Sequence, residues 1–380
     1  MPDDVDSIQP AFIEAFAFRV PIERPVRVSF GTFRDRPLVL VRVVDVEGTE
    51  GWGEVWCNWP AVGAEHRARL AADLGARLVG RSFAGPEDAS RALAFELEVL
   101  VLQTGEIGPI AQVIAGIDIA LWDLAARKRN LALHRCLGGA PAESVPVYAT
   151  GVEPDDPERF AEARLGEGHR AFKLKVGFGQ ERDVKNLEAL RAVLGSDLAL
   201  MADANQALTL DGALAFARAA APLDLQWLEE PLRVDAPPAD WCALAAASTI
   251  PLAGGENLRD GQFDEAVANP VLRVLQPDVT KWGGVSGNLR VGRAAVESGK
   301  LYCPHVFGGG VALLASLHLL AAVGGDGLLE WDCHPNAGRE LIVGSSLPVQ
   351  EGRVPVPQGP GLGVAPDLTA LDPYRTWPTR

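Results

Sequence analysis

Seven polar residues, Lys175, Asp203, Glu229, Glu256, Asp278, His305 and Glu330, follow one another at spacings of 28, 26, 27, 22, 27 and 25 residues. Each closes a short apolar run just before a loop. The repeat length is that of one β-strand, one loop and one helix. The apolar runs are VPVYATG, AFKLKVG, LALMADAN, LQWLEEP, IPLAGGEN, VLRVLQPD, LYCPHV and LLEWD, and amphipathic stretches such as ERDVKNLEALRAVLG separate them. Eight βα units in about 200 residues predict a (β/α)8 barrel. In such a barrel all strand ends share one face, so the seven polar groups meet there. A single Asp after a strand is most often a helix N-cap, but capping does not explain seven polar residues in register.

The remaining chain reads differently. Stretches between residues 10 and 55, AFIEAFAFRV, PLVLVRVVDV and GWGEVW around a GTEG turn, alternate as antiparallel strands. Between residues 65 and 137, EHRARLAADLGARLVG and IAQVIAGIDIALWDLAARK place apolar residues at helical spacing. The fold class is therefore α/β: a TIM-type barrel over residues 141–345 and an N-terminal α+β capping domain over 1–140. A Gly/Pro-rich C-terminal segment, 346–380, returns to complete the cap. A chain of 380 residues is long enough for both units.

Fifty acidic against 35 basic residues give a net charge of −15, which repels nucleic acid and anionic membrane, so neither partner is expected. An anionic ligand needs a local positive site. Five scattered cysteines form no C-x-x-C motif, which indicates neither a disulfide framework nor a zinc site. The N-terminus lacks a basic, apolar leader, and the expectation is a cytoplasmic protein.

Strand residues two apart share a face. Lys173 thus points with Lys175, Asn205 with Asp203, and Asp332 with Glu330. Of Glu229 and Glu230 only one is expected to face inward; Glu229 is favoured, with Glu230 hydrogen-bonded at the rim. Asp203, Glu229 and Glu256 bring three carboxylates together without Cys or His, a hard-oxygen set suited to Mg2+. Without a cation they repel one another. Phe30, Trp56 and Trp59, in the segments 29–33 and 54–59, are candidates to line the pocket or to fill the cap core. Asp332 and His334 are read as substrate contacts or as a solvated loop. His66, His134, His169 and His318 are assigned no chemistry.

At these positions the sequence resembles the enolase superfamily and, within it, the mandelate racemase group. The resemblance rests on AGIDIALWDLAARK, KLKVG, ADAN, LEEP, GGEN, QPDVTKWGG, PHVFGGG and LEWD in that order. It implies Mg2+ held by Asp203, Glu229 and Glu256, with Lys175 as general base on one face of a small carboxylate substrate. Asp278 orients His305 as acid/base on the other face; Lys173 and Glu330 stabilise the enediolate; Asn205, Lys173, Phe30, Trp56 and Asp332 contact substrate. Muconate-lactonizing relatives carry a lysine where this chain has Asp278, and Lys281 lies too late to replace it. The pKa of Lys175 is expected to be lowered by Lys173, the metal and burial. The implied reaction is acid-sugar dehydration, with ring opening of the galactarolactone cycloisomerase type second and racemisation of a 2-hydroxy acid third. A symmetric homo-oligomer is also implied.

Overall fold

The computed structural model describes residues 7–28, 31–152, 154–344 and 346–378. Phe30 lies outside the described residues.

In the cap, β1 (Pro10–Val28), β2 (Gly31–Asp45) and β3 (Glu50–Glu54) form an antiparallel sheet backed by α1 (Gly63–Gly75), α2 (Pro86–Thr104) and α3 (Ile107–Lys128). The two-residue alternation serves two cores. Ala15, Ala17, Val39, Val41 and Val43 pack with the cap helices, while Phe16, Phe18, Leu38 and Leu40 join the core of the barrel. In β3 the glycines of GWGE let α3 lie directly on the strand: a Cβ on Gly51 or Gly53 would come within 2.1 Å of Ala120 O or 1.9 Å of Gly116 O. By length and composition α3 is apolar enough to cross a membrane, yet most of it is buried in this core.

The eight expected barrel strands are present as β4 (Ser144–Val152), β5 (Ala171–Lys175), β6 (Ala199–Asp203), β7 (Leu228–Glu229), β8 (Leu252–Gly254), β9 (Leu272–Leu275), β10 (Leu301–Tyr302) and β11 (Leu329–Asp332). Parallel pairing runs from β10 back to β4 and on to β11. Side chains link β10 to β11: Leu328 N–H donates to Cys303 Sγ at 3.3 Å and Val306 N–H to a Glu330 oxygen at 3.0 Å. Tyr148, Ala171, Met201, Trp227, Ala253, Val274 and Cys303 fill the interior, so the barrel is a packed core rather than a pore. The tail supplies β12 (Arg353–Pro355), antiparallel to β4, and β13 (Arg375–Trp377), which pairs with β1.

Barrel helices start at the face where the strands end, so their N-termini point toward the cap. Two cap carboxylates meet them. Glu54 accepts from the N–H groups of Gly309 (2.5 Å) and Ala312 (2.9 Å) at helix Gly310–Val323. Asp118 accepts from Ser286 N (3.0 Å) and Ser286 Oγ (2.6 Å) at helix Gly284–Glu297. Anions suit such positions because the first amides of a helix lack partners. Glu54 opens the 54–59 segment, and its carboxylate is committed to docking the cap.

A buried histidine pair lies on the other side of helix Gly310–Val323. His318 Nδ1 faces the His134 N–H at 3.3 Å and Nε2 faces Leu362 O at 3.3 Å, an arrangement that fits the neutral ring. Burial, then His134, pushes the pKa of His318 down to about 3, and burial lowers that of His134. An unfolded histidine titrates near 6.5, so below that pH the unfolded state binds the extra protons. Stability should therefore fall as pH drops from about 6.5 toward 3, with His318 alone accounting for about 2 kcal/mol at pH 5. Thermal midpoints of wild type and His318→Gln at pH 7 and pH 5 test this; equal acid shifts in both would refute it.

Candidate active site

A cavity of about 440 Å³ opens where the strands end, between barrel and cap. Lys175, Asn205, Glu256, His305, Glu330 and Asp332 line it. Lys173, Asp203, Glu229 and Asp278 lie just beneath, in contact with these residues or with one another. The register sets Lys175, Asp203 and Glu229 side by side.

Lys173 is wholly buried, its Nζ 2.6 Å from Glu229 Oε1, 2.9 Å from Glu330 Oε1 and 3.6 Å from Asp203 Oδ2. Burial opposes its charge, but Glu229 and Glu330 outweigh burial and hold its pKa well above the usual lysine value. Lys175 Nζ reaches Asp203 Oδ2 at 2.5 Å and Asn205 Oδ1 at 2.9 Å. Its pKa is raised, not lowered: burial and Lys173 act downward, but Asp203 overcomes them. The expected lowering was for a site with its metal bound, and Asp203, the carboxylate that raises the value here, is one of those a cation would draw away.

His305 is held at both nitrogens, Nδ1 by Asp278 at 2.7 Å and Nε2 by Glu256 at 2.8 Å. Thr280 N–H and Oγ1–H fix the other Asp278 oxygen at 2.8 and 2.6 Å. Burial works against protonation of His305, while Glu256, Glu330 and Asp278 raise its pKa well above the ordinary value.

Among the described residues, no three His, Cys, Asp or Glu side chains are grouped closely enough to hold a metal ion as they stand. Each carboxylate is drawn to its own cation: Asp203 to Lys175, Glu229 to Lys173, Glu256 to His305 and Lys281. The donor set still suits a hard dication. Burial and then Asp203 push Glu229 up to about 7, a sign of two anions crowded together, and a cation between them would relieve that repulsion. Its entry would draw Asp203 off Lys175 and Glu256 off His305.

Two sequence readings need correction, and one open choice is decided. Glu230 is not a rim residue; it is buried and lines the cavity. Strand β7 ends after two residues, and a φ of +38° at Glu230 breaks the alternation of faces. Asn257 Nδ2 holds its oxygens at 2.9 and 3.2 Å. Asp332 is not in a solvated loop: its carboxylate is buried between Arg36 of the cap (2.6 Å) and His334 (2.7 Å). Burial opposes that charge, but Arg36 and His334 hold the pKa of Asp332 far below the usual range. Trp59, with Trp56 and Phe33, lines the cavity rather than only filling the cap.

Lys281 was missed as a site residue. It lies three positions after Asp278, its Nζ 3.1 Å from Glu256 Oε2, 3.0 Å from Asn257 Oδ1 and 5.1 Å from the centre of the Trp56 ring. The QPDVTKWGG segment carried that signal. Gln276, which donates to Glu229 at 2.6 Å, belongs to the same segment.

The family described as enolase C-terminal domain-like matches residues 156–370, more than half the chain. The mandelate racemase/muconate lactonizing enzyme N-terminal domain matches residues 12–138. The chain belongs to the mandelate racemase/muconate lactonizing enzyme family of the enolase superfamily. This member of the family is 32% identical over 374 residues to D-galactarolactone cycloisomerase of Agrobacterium fabrum, covering 93% of this chain and 95% of that protein. A solved mandelate racemase/muconate lactonizing enzyme from Bordetella bronchiseptica RB50 superposes with a TM-score of 0.90 at 48% identity, covering 97% and 99% of the two chains. A racemase from Streptomyces coelicolor A3(2) with bound magnesium gives 0.85 at 30% identity, covering 97% and 100%. Further relatives include a second cycloisomerase, acid-sugar dehydratases and another racemase.

Proposed function

We propose that the protein removes the α-proton of a sugar-acid carboxylate and then expels the β-oxygen, in the first instance as an acid-sugar dehydratase. The observation that supports this is the presence of two proton carriers around one cavity, Lys175 at the end of β5 and His305 just after β10, with Asp278 behind it just after β9. One side chain can take the α-proton while the other protonates the departing oxygen.

The roles follow from position. Lys173, between Glu229 and Glu330, supplies a fixed positive charge at the floor, where the substrate carboxylate binds and where negative charge develops. Lys175 is the base. Asp278 accepts from His305 Nδ1, and Nε2, which lies beside Glu256 at the cavity, is the acid. Asn205, whose amide already orders Lys175, contacts the substrate hydroxyl. Asp203, Glu229 and Glu256 would hold Mg2+, which would supply Lewis-acid stabilisation of the substrate carboxylate.

Ring opening of a lactone or anhydro sugar acid is the second reading. It uses the same two steps with a ring oxygen as leaving group, and cycloisomerases among the long-range relatives favour it. Racemisation stands third. The test is to incubate the Mg2+-supplemented protein in deuterium oxide with sugar acids, their lactones and 2-hydroxy acids. Dehydration removes one water by mass, ring opening leaves the mass of the elements unchanged, and racemisation inverts configuration. If no carboxylate is dehydrated, ring-opened or exchanged at its α-carbon, the proposal fails.

A further inference from the structure

One wall of the cavity carries a cation that the steps above do not use. Arg259, three residues beyond Glu256, lines the cavity, and its backbone N–H is held by Gln262. Among the described residues, no carboxylate or carbonyl accepts from its guanidinium. It contrasts with Lys175, Lys281 and His305 in the same cavity, which are all paired.

Across from Arg259 stand the first two turns of α3, where Gly108 and Gln112 also line the cavity. A Cβ placed on Gly108 would lie 3.9 Å from Arg259 Nη1 and 3.9 Å from Gln112 Nε2. The glycine therefore leaves a gap flanked by two nitrogen donors. Gln112 is oriented from behind: its Oε1 accepts from Arg67 Nε at 3.0 Å, so the amide presents its NH2 group to the gap. The nearest cavity carboxylates do not fill the gap, because Glu230 is held by Asn257, and Glu256 by Lys281 and His305. Donors gathered without an acceptor define an anion subsite, and the planar guanidinium fork matches a carboxylate.

We propose that Arg259, with Gln112 across Gly108, binds the second carboxylate of a dicarboxylic sugar acid, and that this contact sets a preference for diacids over monoacids. The inference rests on the proposed function, in which the first carboxylate is held at Lys173.

The test measures binding of six-carbon dicarboxylic sugar acids, each paired with the monocarboxylic acid of the same configuration. Calorimetry with Mg2+ in the Lys175→Ala background keeps bound compounds intact. At least one diacid should bind about 10- to 100-fold more tightly than its partner, the scale of a charge-assisted contact. Arg259→Gln should bring the pair within about threefold by weakening only the diacid, and Arg259→Lys should retain part of the preference. Gly108→Asp, which sets a fixed carboxylate in the gap, should abolish the preference as well. A diacid preference that survives Arg259→Gln, or no preference in the parent, overturns the inference. Exchange of the α-proton by wild-type protein is read separately. Exchange without an Arg259-dependent preference sinks only the subsite. Arg259-dependent binding without exchange sinks only the reaction, and if neither is seen both fall.

Discussion

Lys175→Ala should lower turnover by about 10³-fold or more, the range expected when a positioned base is removed, while the protein folds and binds Mg2+ as before. The structural part of this expectation follows from the contacts of Lys175. Its side chain is 20% exposed and touches Asp203 and Asn205, and Asp203 keeps Lys173 at 3.6 Å and the Asn205 N–H at 2.8 Å after the lysine is gone. Circular dichroism, thermal midpoint and metal calorimetry should match wild type. α-Proton exchange should disappear in Lys175→Ala but persist in His305→Asn, which loses only protonation of the leaving group. Exchange that requires His305 and not Lys175 would reverse the two roles, and near-normal turnover in Lys175→Ala would remove the assignment altogether.

Lys173→Met should have the opposite profile, damaging the fold as well as the chemistry. Removing the cation strands Glu229 and Glu330 in the interior, and breaking a buried pair in this way costs about 3–5 kcal/mol. The loss should depend on pH. Glu229 sits near 7 even with the lysine present, through burial and Asp203, and without it should rise further above its unfolded value. A carboxyl whose folded pKa is raised destabilises the fold as pH increases through the window between the two values. The variant should therefore be least stable near pH 8 and recover toward pH 5.5, where Glu229 is protonated. A thermal midpoint equal to wild type across that range would show that Lys173 is not the charge that holds the floor of the site together.

What the sequence disclosed was set by local periodicity. Strand-end residues recur once per βα unit, and that regularity alone carried Lys175, Asp203, Glu229, Glu256, Asp278, His305 and Glu330 to one face. It also yielded Lys173, because two-residue alternation holds within β5. Alternation failed at Glu230, where β7 stops and the backbone turns left-handed. Arg36, Asn257 and Arg259 were not legible, for a different reason. Each matters through a partner, or the lack of one, that only the docked cap and the loops establish. The Arg36–Asp332 contact, for example, joins residues 296 positions apart. The Lys175–Asp203 contact was hidden on the same ground: Asp203 lies beside Lys175 across the ladder, and no linear spacing shows which neighbour dominates.

The pairing of β13 with β1 has a consequence for biogenesis. The cap sheet is four strands wide in the order β13, β1, β2, β3, and its outer strand is synthesised long after the others: Thr376 Oγ1 donates to Ala17 O across 359 positions. During translation the cap helices can condense on three strands, but the edge of β1 stays uncovered until the whole barrel has left the ribosome. The N-terminal unit is therefore the first to begin folding and among the last to be finished. A chain stopped short of Arg375 would leave that edge open to intermolecular pairing.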